Sequence, residues 1–185
     1  MALQIRQTMT AAAFDEWVRL PENSERRFER IAGEVVEVVS NDEASEIAIN
    51  IAAEIRLYLK QHALGRVTGA DGGYIVAGHH YIPDVAFISY EKQSGPSGEA
   101  YNPNPPDLAV EVVSPSDRPE RLMIKVGNYL AAGVVVWVVY PTEHEVQIYK
   151  PGQPVELIDS SGTLSGGDVL PGFELVLQEI FPRSS

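Results

Sequence analysis

Residues 107–140 read DLAVEVVSPSDRPERLMIKVGNYLAAGVVVWVVY, and this stretch decides the fold class. Asp107–Ser114 has the pattern of a strand, and Val134–Tyr140 is a continuous apolar run, which indicates a strand covered on both faces. Between them, Asp117–Ala132 has helical periodicity and ends before Gly133. The stretch therefore predicts a crossover in which a helix joins two parallel strands.

Capping signals and periodicity predict three helices in all. Asp117 is the expected N-cap of the helix just described, and Glu120 completes a capping-box pattern with it. A short helix is expected over residues 10–20, with Thr10 as its cap. The clearest periodicity lies in Glu43–His62, where Ile or Leu recurs every fourth residue.

Alternating and apolar runs predict the remaining strands, and the Gly-, Ser-, Asn- and Pro-rich segment Tyr90–Pro106 predicts a mobile loop. The order of helices and strands predicts an α/β fold, with a mixed sheet flanked by helices. The further strands are a hairpin over Phe28–Val39 that turns at Ala32-Gly33, a region over Val67–Val76, Tyr81–Ser89, Glu145–Tyr149, Val155–Ile158 and Glu174–Leu177.

Composition limits the classes of function. The 185 residues have the size of a single domain, 1–185, and the absence of cysteine excludes disulfides, thiolate zinc sites and cysteine nucleophiles. The net charge of −12 repels a phosphate backbone unless basic residues gather on one face. The longest apolar run, Leu130–Tyr140, is too short to span a membrane, and the amino terminus does not have the pattern of a secretory signal. A soluble, cytoplasmic protein is expected.

Two acids in apolar strands are the first candidates for a functional site. Asp84 follows Pro83 in YIPDVAFIS, and Glu111 shares a strand face with Ala109 and Val113 in LAVEVV. A carboxylate there costs free energy unless it is paired, hydrogen-bonded or bound to a cation. The alternative for each is a strand end whose polar residue reaches solvent.

Lys125 is the third candidate, because it stands at the margin of the apolar stripe on the helix that follows Glu111. The short connection between strand and helix can bring it over the end of that strand. The alternative is a lysine whose charged end reaches solvent. Asp84, Glu111 and Lys125 are together the residue types found in metal-dependent phosphodiester hydrolysis. The two carboxylates hold a divalent cation, and the lysine positions a water or stabilises the developing charge.

Several motifs and their order resemble the Uma-two family of the PD-(D/E)xK nuclease superfamily. The resemblance covers nearly the whole chain and rests on Phe14-x-x-Trp17, FERIAGEVVEV, NDEASEIAINIAAEIRLYL, YIPDVAFIS, PPDLAVEVVSPSD, Lys125-x-x-x-Tyr129-x-x-x-Gly133 and LPGFEL. It implies a restriction-endonuclease-like core with an additional N-terminal helix and hairpin. Asp84 and Glu111 fall on the two acids of the motif. The lysine usually found two residues after the second acid would fall on Val113, and in the resembling family it has moved to the following helix, here Lys125.

The resemblance also implies the chemistry of the site. It implies a DNA endonuclease in which Asp84, Glu111 and the carbonyl of Val112 hold Mg²⁺ or Mn²⁺ and Lys125 assists the attacking water. An additional early acid is expected among Glu46, Glu54 and Glu34. The basic residues available to a nucleic-acid backbone are Arg26, Arg27, Arg30, Arg118 and Arg121.

A second interpretation assigns the same fold to the protein but no catalytic activity. The family often has a histidine near the start of the long helix, where this chain reads Glu43-Ala44-Ser45-Glu46. A catalytically degenerate protein that binds or assembles without cutting is the alternative, since a fold does not fix a function. For the nuclease, a homodimer is expected, with no membrane partner, because family members commonly pair and two sites allow both strands to be cut.

Overall fold

The computed structural model describes residues 8–182. Two short 3₁₀ helices, Pro21–Asn23 and Leu177–Glu179, accompany the elements that follow. The α-helices are α1 (Ala11–Trp17), α2 (Asp42–Gln61) and α3 (Pro119–Ala131). The strands are β1 (Phe28–Ile31), β2 (Glu34–Glu37), β3 (Gly65–Gly69), β4 (Gly73–Val76), β5 (His79–Tyr81), β6 (Val85–Ser89), β7 (Tyr101–Asn102), β8 (Leu108–Val112), β9 (Val135–Tyr140), β10 (Glu145–Tyr149), β11 (Glu156–Asp159), β12 (Thr163–Ser165) and β13 (Glu174–Val176).

The strands of residues 8–182 form two large sheets and a two-stranded ribbon. The six-stranded sheet has the order β11-β10-β9-β8-β6-β3, and the five-stranded sheet has the order β2-β1-β5-β4-β7. Strands β8 and β9 are parallel and are joined through α3, as the crossover predicted, whereas β8 and β6 are antiparallel. The predicted α/β class with mixed sheets and flanking helices is confirmed, although the expected single sheet is two.

Both faces of the six-stranded sheet are covered by a hydrophobic core. The side chains of β8 point alternately into one core and the other. Val110 packs on one face with Ile51 of α2. Ala109 packs on the other face with Val126 and Tyr129 of α3. Since side chains alternate along a strand, Glu111 shares the face of Ala109 and lies towards α3.

The N-terminal elements form the additional layer that was predicted. Strands β1 and β2 make a hairpin that turns at Ala32-Gly33, where both residues have positive φ, 49° and 88°. This left-handed pair is typical of two-residue hairpins and favours glycine at the second position. Phe14 of α1 packs in a third cluster with Phe28 and Tyr101. The hairpin also contacts α3, because Ile31 belongs to the cluster of Tyr129.

The prediction of one strand over Tyr81–Ser89 is wrong. Strand β5 ends at Tyr81 in the five-stranded sheet, and β6 begins at Val85 in the six-stranded sheet. Pro83 lies between them, and proline has no N–H to donate to a ladder, so it favours a break. Asp84 therefore lies where the chain passes from one sheet to the other, not inside a strand. Residues 67–76 are divided in the same way between β3 and β4.

Two further local predictions need correction. Arg118, not Asp117, is the N-cap of α3, with Pro119 at its start, and the Asp117 carboxylate instead accepts a 2.7 Å hydrogen bond from the Ser114 amide. The segment 90–106 is not wholly a loop, since β7 lies within it and pairs with β4. Among residues 8–182, no helix is both long enough and apolar enough to cross a membrane.

Candidate active site

A cleft of about 380 Å³ lies between the β1–β2 hairpin, the carboxyl end of β8 and the first turns of α3. Three elements bring the candidate residues to this cleft. Asp84 lies in the link between the two sheets, Glu111 lies near the end of β8, and Lys125 lies on the helix that follows. The residues that line the cleft include Trp17, Arg26, Phe28, Glu29, Glu34, Val38, Val39, Asp84, Glu111, Val112, Arg118, Arg121 and Lys125.

Lys125 joins two buried glutamates at the floor of the cleft. Its Nζ donates to Glu111 Oε2 at 2.7 Å and to Glu29 Oε1 at 2.8 Å. The Tyr129 hydroxyl donates to the other oxygen of Glu111, Oε1, at 2.9 Å. Glu29 Oε1 also accepts from the Ile82 amide at 2.7 Å. All three charged side chains are therefore hydrogen-bonded, as buried charges must be to offset the loss of hydration.

Asp84 approaches the same group from the link between the sheets. Its Oδ2 accepts a 2.7 Å hydrogen bond from the Val112 amide, which fixes the carboxylate beside the residue that follows Glu111. Burial raises the pKa of Asp84 to about 6, although the Val112 hydrogen bond and the charge of Lys125 oppose this. The carboxylate is thus costly to ionise in the folded protein without a further cation.

Glu111 has the most strongly displaced carboxyl pKa that bears on this cleft. Burial, with a smaller contribution from the charges of Glu29 and Asp84, raises its pKa to about 8 against the opposing effect of Lys125. Burial alone would lower the pKa of Lys125, but the carboxylates of Glu111 and Glu29 outweigh burial and raise it above its ordinary value. Lys125 is therefore a permanent cation among more carboxylates than it can neutralise.

The structure brings together Asp84, Glu111, Lys125, Val112 and Glu34, all of which line the cleft. Lys125, which the sequence places at the margin of the apolar stripe of α3, is buried, and its ammonium is held by acids on two strands. Glu34 pairs with Arg121 at 3.0 Å.

Glu46 and Glu54 do not line the cleft, so the expectation that α2 supplies the early acid has no support from their placement. Glu46 is exposed and Glu54 is half-buried. Helix α2 packs on the face of the six-stranded sheet opposite to α3, which separates its side chains from the cleft.

Glu29 is the residue that sequence reasoning missed. It lies on β1 and is 6% exposed. A signal was present in the alternation of FERI, because Glu29 shares a strand face with Ile31, which packs towards α3. Nothing in the sequence says which helix that face meets, so the contact with Lys125 depends on the tertiary fold.

The candidate backbone-binding arginines already interact with other groups. Arg26 makes a bidentate pair with Glu37 at 2.9 and 2.6 Å, and Arg27 pairs with Asp71. Arg30 donates to the carbonyls of Met9 and Gly78 at 2.8 and 2.9 Å. Arg121 is held by Glu34, as noted above, and Arg118 lines the cleft. Three of the five, Arg26, Arg118 and Arg121, line the cleft, whereas Arg27 and Arg30 do not.

The donor set suits a hard divalent cation that keeps part of its water shell. Among residues 8–182 no three His, Cys, Asp or Glu side chains surround a common point, so the chain offers the two carboxylates of Asp84 and Glu111 beside the Val112 backbone. Mg²⁺ is commonly held by one or two carboxylates, with waters and substrate phosphate completing its shell. Burial raises the pKa of both acids, neighbouring carboxylates add to the rise, and a bound cation would oppose it.

Comparisons with known proteins agree with this architecture. A solved structure described as a putative nuclease belonging to DUF820 from Anabaena variabilis ATCC 29413 is similar, with a TM-score of 0.80 and 20% identity over 94% of this chain and 97% of that chain. At that identity the likeness shows a shared fold. No curated protein sequence matches. The model of the family described as "Uma2: Putative restriction endonuclease" matches residues 14–178, and the chain therefore belongs to the Uma2 family.

Proposed function

We propose that this protein is a metal-dependent DNA endonuclease that hydrolyses phosphodiester bonds in the cleft. The observation that carries the proposal is the convergence of Asp84, Glu111 and Lys125, from three separate elements, on one cleft. The family supports a nuclease, and the PD-(D/E)xK motif supplies the pattern in which two acids and a lysine act together.

Mg²⁺ or Mn²⁺ is the proposed cofactor, held by Asp84, Glu111 and the Val112 carbonyl. When bound, such an ion polarises the phosphodiester and lowers the pKa of a water. Asp84 keeps its orientation through the Val112 amide, and Glu111 keeps its orientation through the Tyr129 hydroxyl. These bonds leave lone pairs on both carboxylates, because each carboxylate oxygen can accept more than one partner.

Lys125 acts in this proposal as a fixed positive charge. Its raised pKa keeps it protonated, so it donates hydrogen bonds to the attacking water or to the phosphate and does not remove a proton. A cation placed before the reaction begins stabilises the negative charge that develops on the phosphate oxygens. Glu29 holds the ammonium in place and is a positioning residue.

The second candidate is a catalytically degenerate protein of the same fold that binds or assembles without cutting. It is favoured by one observation: both oxygens of Glu111 are already engaged, by Lys125 and by Tyr129. In that case Lys125 would be a permanent replacement for a metal and not its neighbour. Such a protein would not bind Mn²⁺ through Asp84 and Glu111.

Strand cleavage tests the first candidate. Purified protein is incubated with supercoiled plasmid and with circular single-stranded DNA in Mg²⁺ or Mn²⁺ at low salt, beside a chelator control. We expect cleavage that is lost in Asp84→Ala, in Lys125→Ala and with chelator, and retained in Glu46→Gln, whose side chain is exposed outside the cleft. Cleavage that persists in Asp84→Ala would overturn the site. No cleavage together with no Mn²⁺ binding would support the degenerate protein.

A homodimer is part of the proposal, since two sites related by a twofold axis allow both strands of a duplex to be cut. Sedimentation of the intact chain at several concentrations measures this property separately. If the protein sediments as a monomer at all concentrations, the dimer proposal is wrong, whereas the proposed chemistry of the cleft is unaffected.

A further inference from the structure

The cleft has an apolar half that the acids do not use. Trp17, Phe28, Val38 and Val39 form this part of its wall. Val39 is 70% exposed, and Trp17 is half-buried. Apolar side chains that remain open to solvent beside polar groups in a cleft are typical of a ligand contact.

Trp17 is held firmly although part of it stays open. Its ring packs edge-on against Phe28 with centroids 4.6 Å apart, and the ring of Phe14 lies 6.2 Å away. Phe14 itself is fully buried. An indole fixed in this way loses little conformational freedom when a ligand binds, and a nucleic-acid base can stack on it whatever the base sequence.

A positive charge lies at the same end of the cleft. The Arg26 guanidinium is 4.8 Å from the centre of the Phe28 ring and pairs with Glu37. The two charged side chains are 42% and 43% exposed, so water screens their attraction although the pair is bidentate. A phosphate can therefore compete with Glu37 for Arg26.

Size and charge favour a short, unpaired strand over a duplex. A cleft of about 380 Å³ lies within the range of small-molecule pockets, about 300–1,000 Å³. A duplex presents closely spaced phosphates on two strands, and its binding depends on many basic contacts. This chain has a net charge of −12, and its cleft offers Arg26, Arg118 and Arg121 beside Lys125. Few phosphates can be neutralised there, so base stacking must supply much of the affinity.

We propose that the cleft binds an unpaired nucleotide segment, with a base against Trp17 and Val39 and the following phosphodiester at Asp84 and Glu111. The inference rests on the proposed function, because it assigns the phosphodiester end of the segment to the acids. It names a single-stranded or locally opened segment as the form of nucleic acid that enters each cleft, so a duplex would be cut where its strands separate.

Tryptophan fluorescence measures this binding directly. The chain has two tryptophans, and Trp137 is 1% exposed, so quenching by a base reports on Trp17. The probes are pentathymidylate, an abasic oligomer with the same number of phosphates, and a blunt duplex hairpin, all in Ca²⁺, which takes the same hard oxygen ligands as Mg²⁺. We expect pentathymidylate to quench and to bind at least about fivefold more tightly than either of the other probes, because one stacked base contributes about 1–3 kcal/mol.

Variants are tested by anisotropy of labelled pentathymidylate. Trp17→Ala and Val39→Glu should each weaken binding at least about fivefold, the lower limit for one stacked base. Val39→Glu serves as the second variant if Trp17→Ala fails to fold, since Val39 is largely exposed already. Tyr90→Ala, at a 43% exposed residue that is absent from the cleft wall, is the matched control and should not change binding. Equal affinity for the duplex or the abasic oligomer would overturn the inference, as would unchanged binding in both variants.

The same proteins separate this inference from the proposed function. Tight, Trp17-dependent binding of pentathymidylate without hydrolysis in Mg²⁺ or Mn²⁺ would overturn the nuclease proposal alone. Metal-dependent cleavage of relaxed duplex at the same rate as single strands, unaffected by Trp17→Ala, would overturn the substrate inference alone. We expect single-stranded circles to be cut fastest, supercoiled plasmid more slowly and relaxed plasmid slowest.

Discussion

Glu29 and Lys125 are 96 residues apart in the chain, and the carboxylate of Glu29 accepts a 2.8 Å hydrogen bond from the ammonium of Lys125. The same carboxylate oxygen accepts from the Ile82 amide, so Glu29 is fixed by the backbone that leads to Asp84. Lys125 in turn reaches Glu111. One buried glutamate on the hairpin thus helps to position the lysine beside Glu111 and close enough to Asp84 for their charges to interact.

Glu29→Gln tests this positioning role. Glutamine keeps an oxygen that can accept from the Ile82 amide but removes one of the two negative charges that hold Lys125. We expect the rate of DNA cleavage to fall about 10-fold to 100-fold, as is usual when the partner of a site residue is lost. The measurement is the initial rate over a range of pH, together with circular dichroism. Glu54→Gln, on α2, is the control and should keep the rate of the unchanged protein. If Glu29→Gln also kept that rate, Glu29 would have no positioning role in the site.

Lys125→Met should destabilise the protein more at high pH than at low pH. Removing one partner from a buried ion pair costs about 3–5 kcal/mol while the remaining charges stay ionised. Glu111 already has its pKa raised to about 8, and Lys125 is a charge that lowers it, so the variant binds a proton there more readily. The loss of unfolding free energy should therefore be smaller at pH 5 than at pH 9, as measured by urea denaturation.

The control for that experiment is Lys150→Met, which removes a partly exposed pair with Glu156. An exposed pair contributes about 0–1 kcal/mol, so Lys150→Met should change the unfolding free energy little. A destabilisation by Lys125→Met that is the same at both pH values would contradict the electrostatic account of the buried group.

Asp84→Asn should stabilise the metal-free protein while it abolishes cleavage. The pKa of Asp84 is raised by burial from 3.8 to about 6. Between those values the folded state binds more protons at Asp84 than the unfolded state does, so this residue lowers the unfolding free energy as the pH rises through that window. Asparagine is neutral and can still accept from the Val112 amide. We expect a gain of about 3 kcal/mol at pH 8 that disappears near pH 4.

Thermal unfolding of the two proteins at pH 4, 6 and 8 measures that gain. Asp168→Asn, at a residue that is exposed and absent from the cleft wall, controls for the general effect of removing a negative charge from an acidic protein. Equal melting temperatures for Asp84→Asn and the unchanged protein at pH 8 would argue against a destabilising carboxylate.

Tyr129→Phe removes the hydroxyl that donates to Glu111 and little else from the core. Above the raised pKa of Glu111, near pH 9, this is a buried hydrogen bond to a charged group, which contributes about 1.5–3 kcal/mol. We expect a loss of unfolding free energy in that range, and a lower cleavage rate because Glu111 is less well oriented. Tyr90→Phe, at an exposed tyrosine, is the comparison, and an equal effect of the two substitutions would show that the buried hydroxyl contributes nothing.

The contact between Glu111 and Lys125 could be anticipated from the sequence, because it depends on local geometry. The alternation in LAVEVV places Glu111 on the face of Ala109, and in the structure this face meets α3. Lys125 follows on the next helix, 14 residues after Glu111, and the two are in contact. The parallel crossover between β8 and β9 brings them together, because the helix that joins two parallel strands must pack back on their sheet.

The prediction was weaker where proline interrupts an apolar run. YIPDVAFIS has the composition of one strand, yet Tyr81 and Val85 belong to different sheets. The apolar pattern is the same in either case, since both halves are buried. The change of sheet at Pro83 turns Asp84 from a mid-strand acid into one held against the Val112 amide.

Hydrophobic periodicity and turn residues by themselves determined the α/β class, the three helices, the hairpin and the face on which Glu111 lies, because each depends on neighbours a few residues away. The tertiary structure alone decided that Glu29 is the third acid of the group, that Glu46 and Glu54 lie outside the cleft, and that Lys125 is buried as a cation. Those outcomes depend on which faces pack together across 96 residues of chain, and on the removal of charged groups from water, which no local pattern encodes.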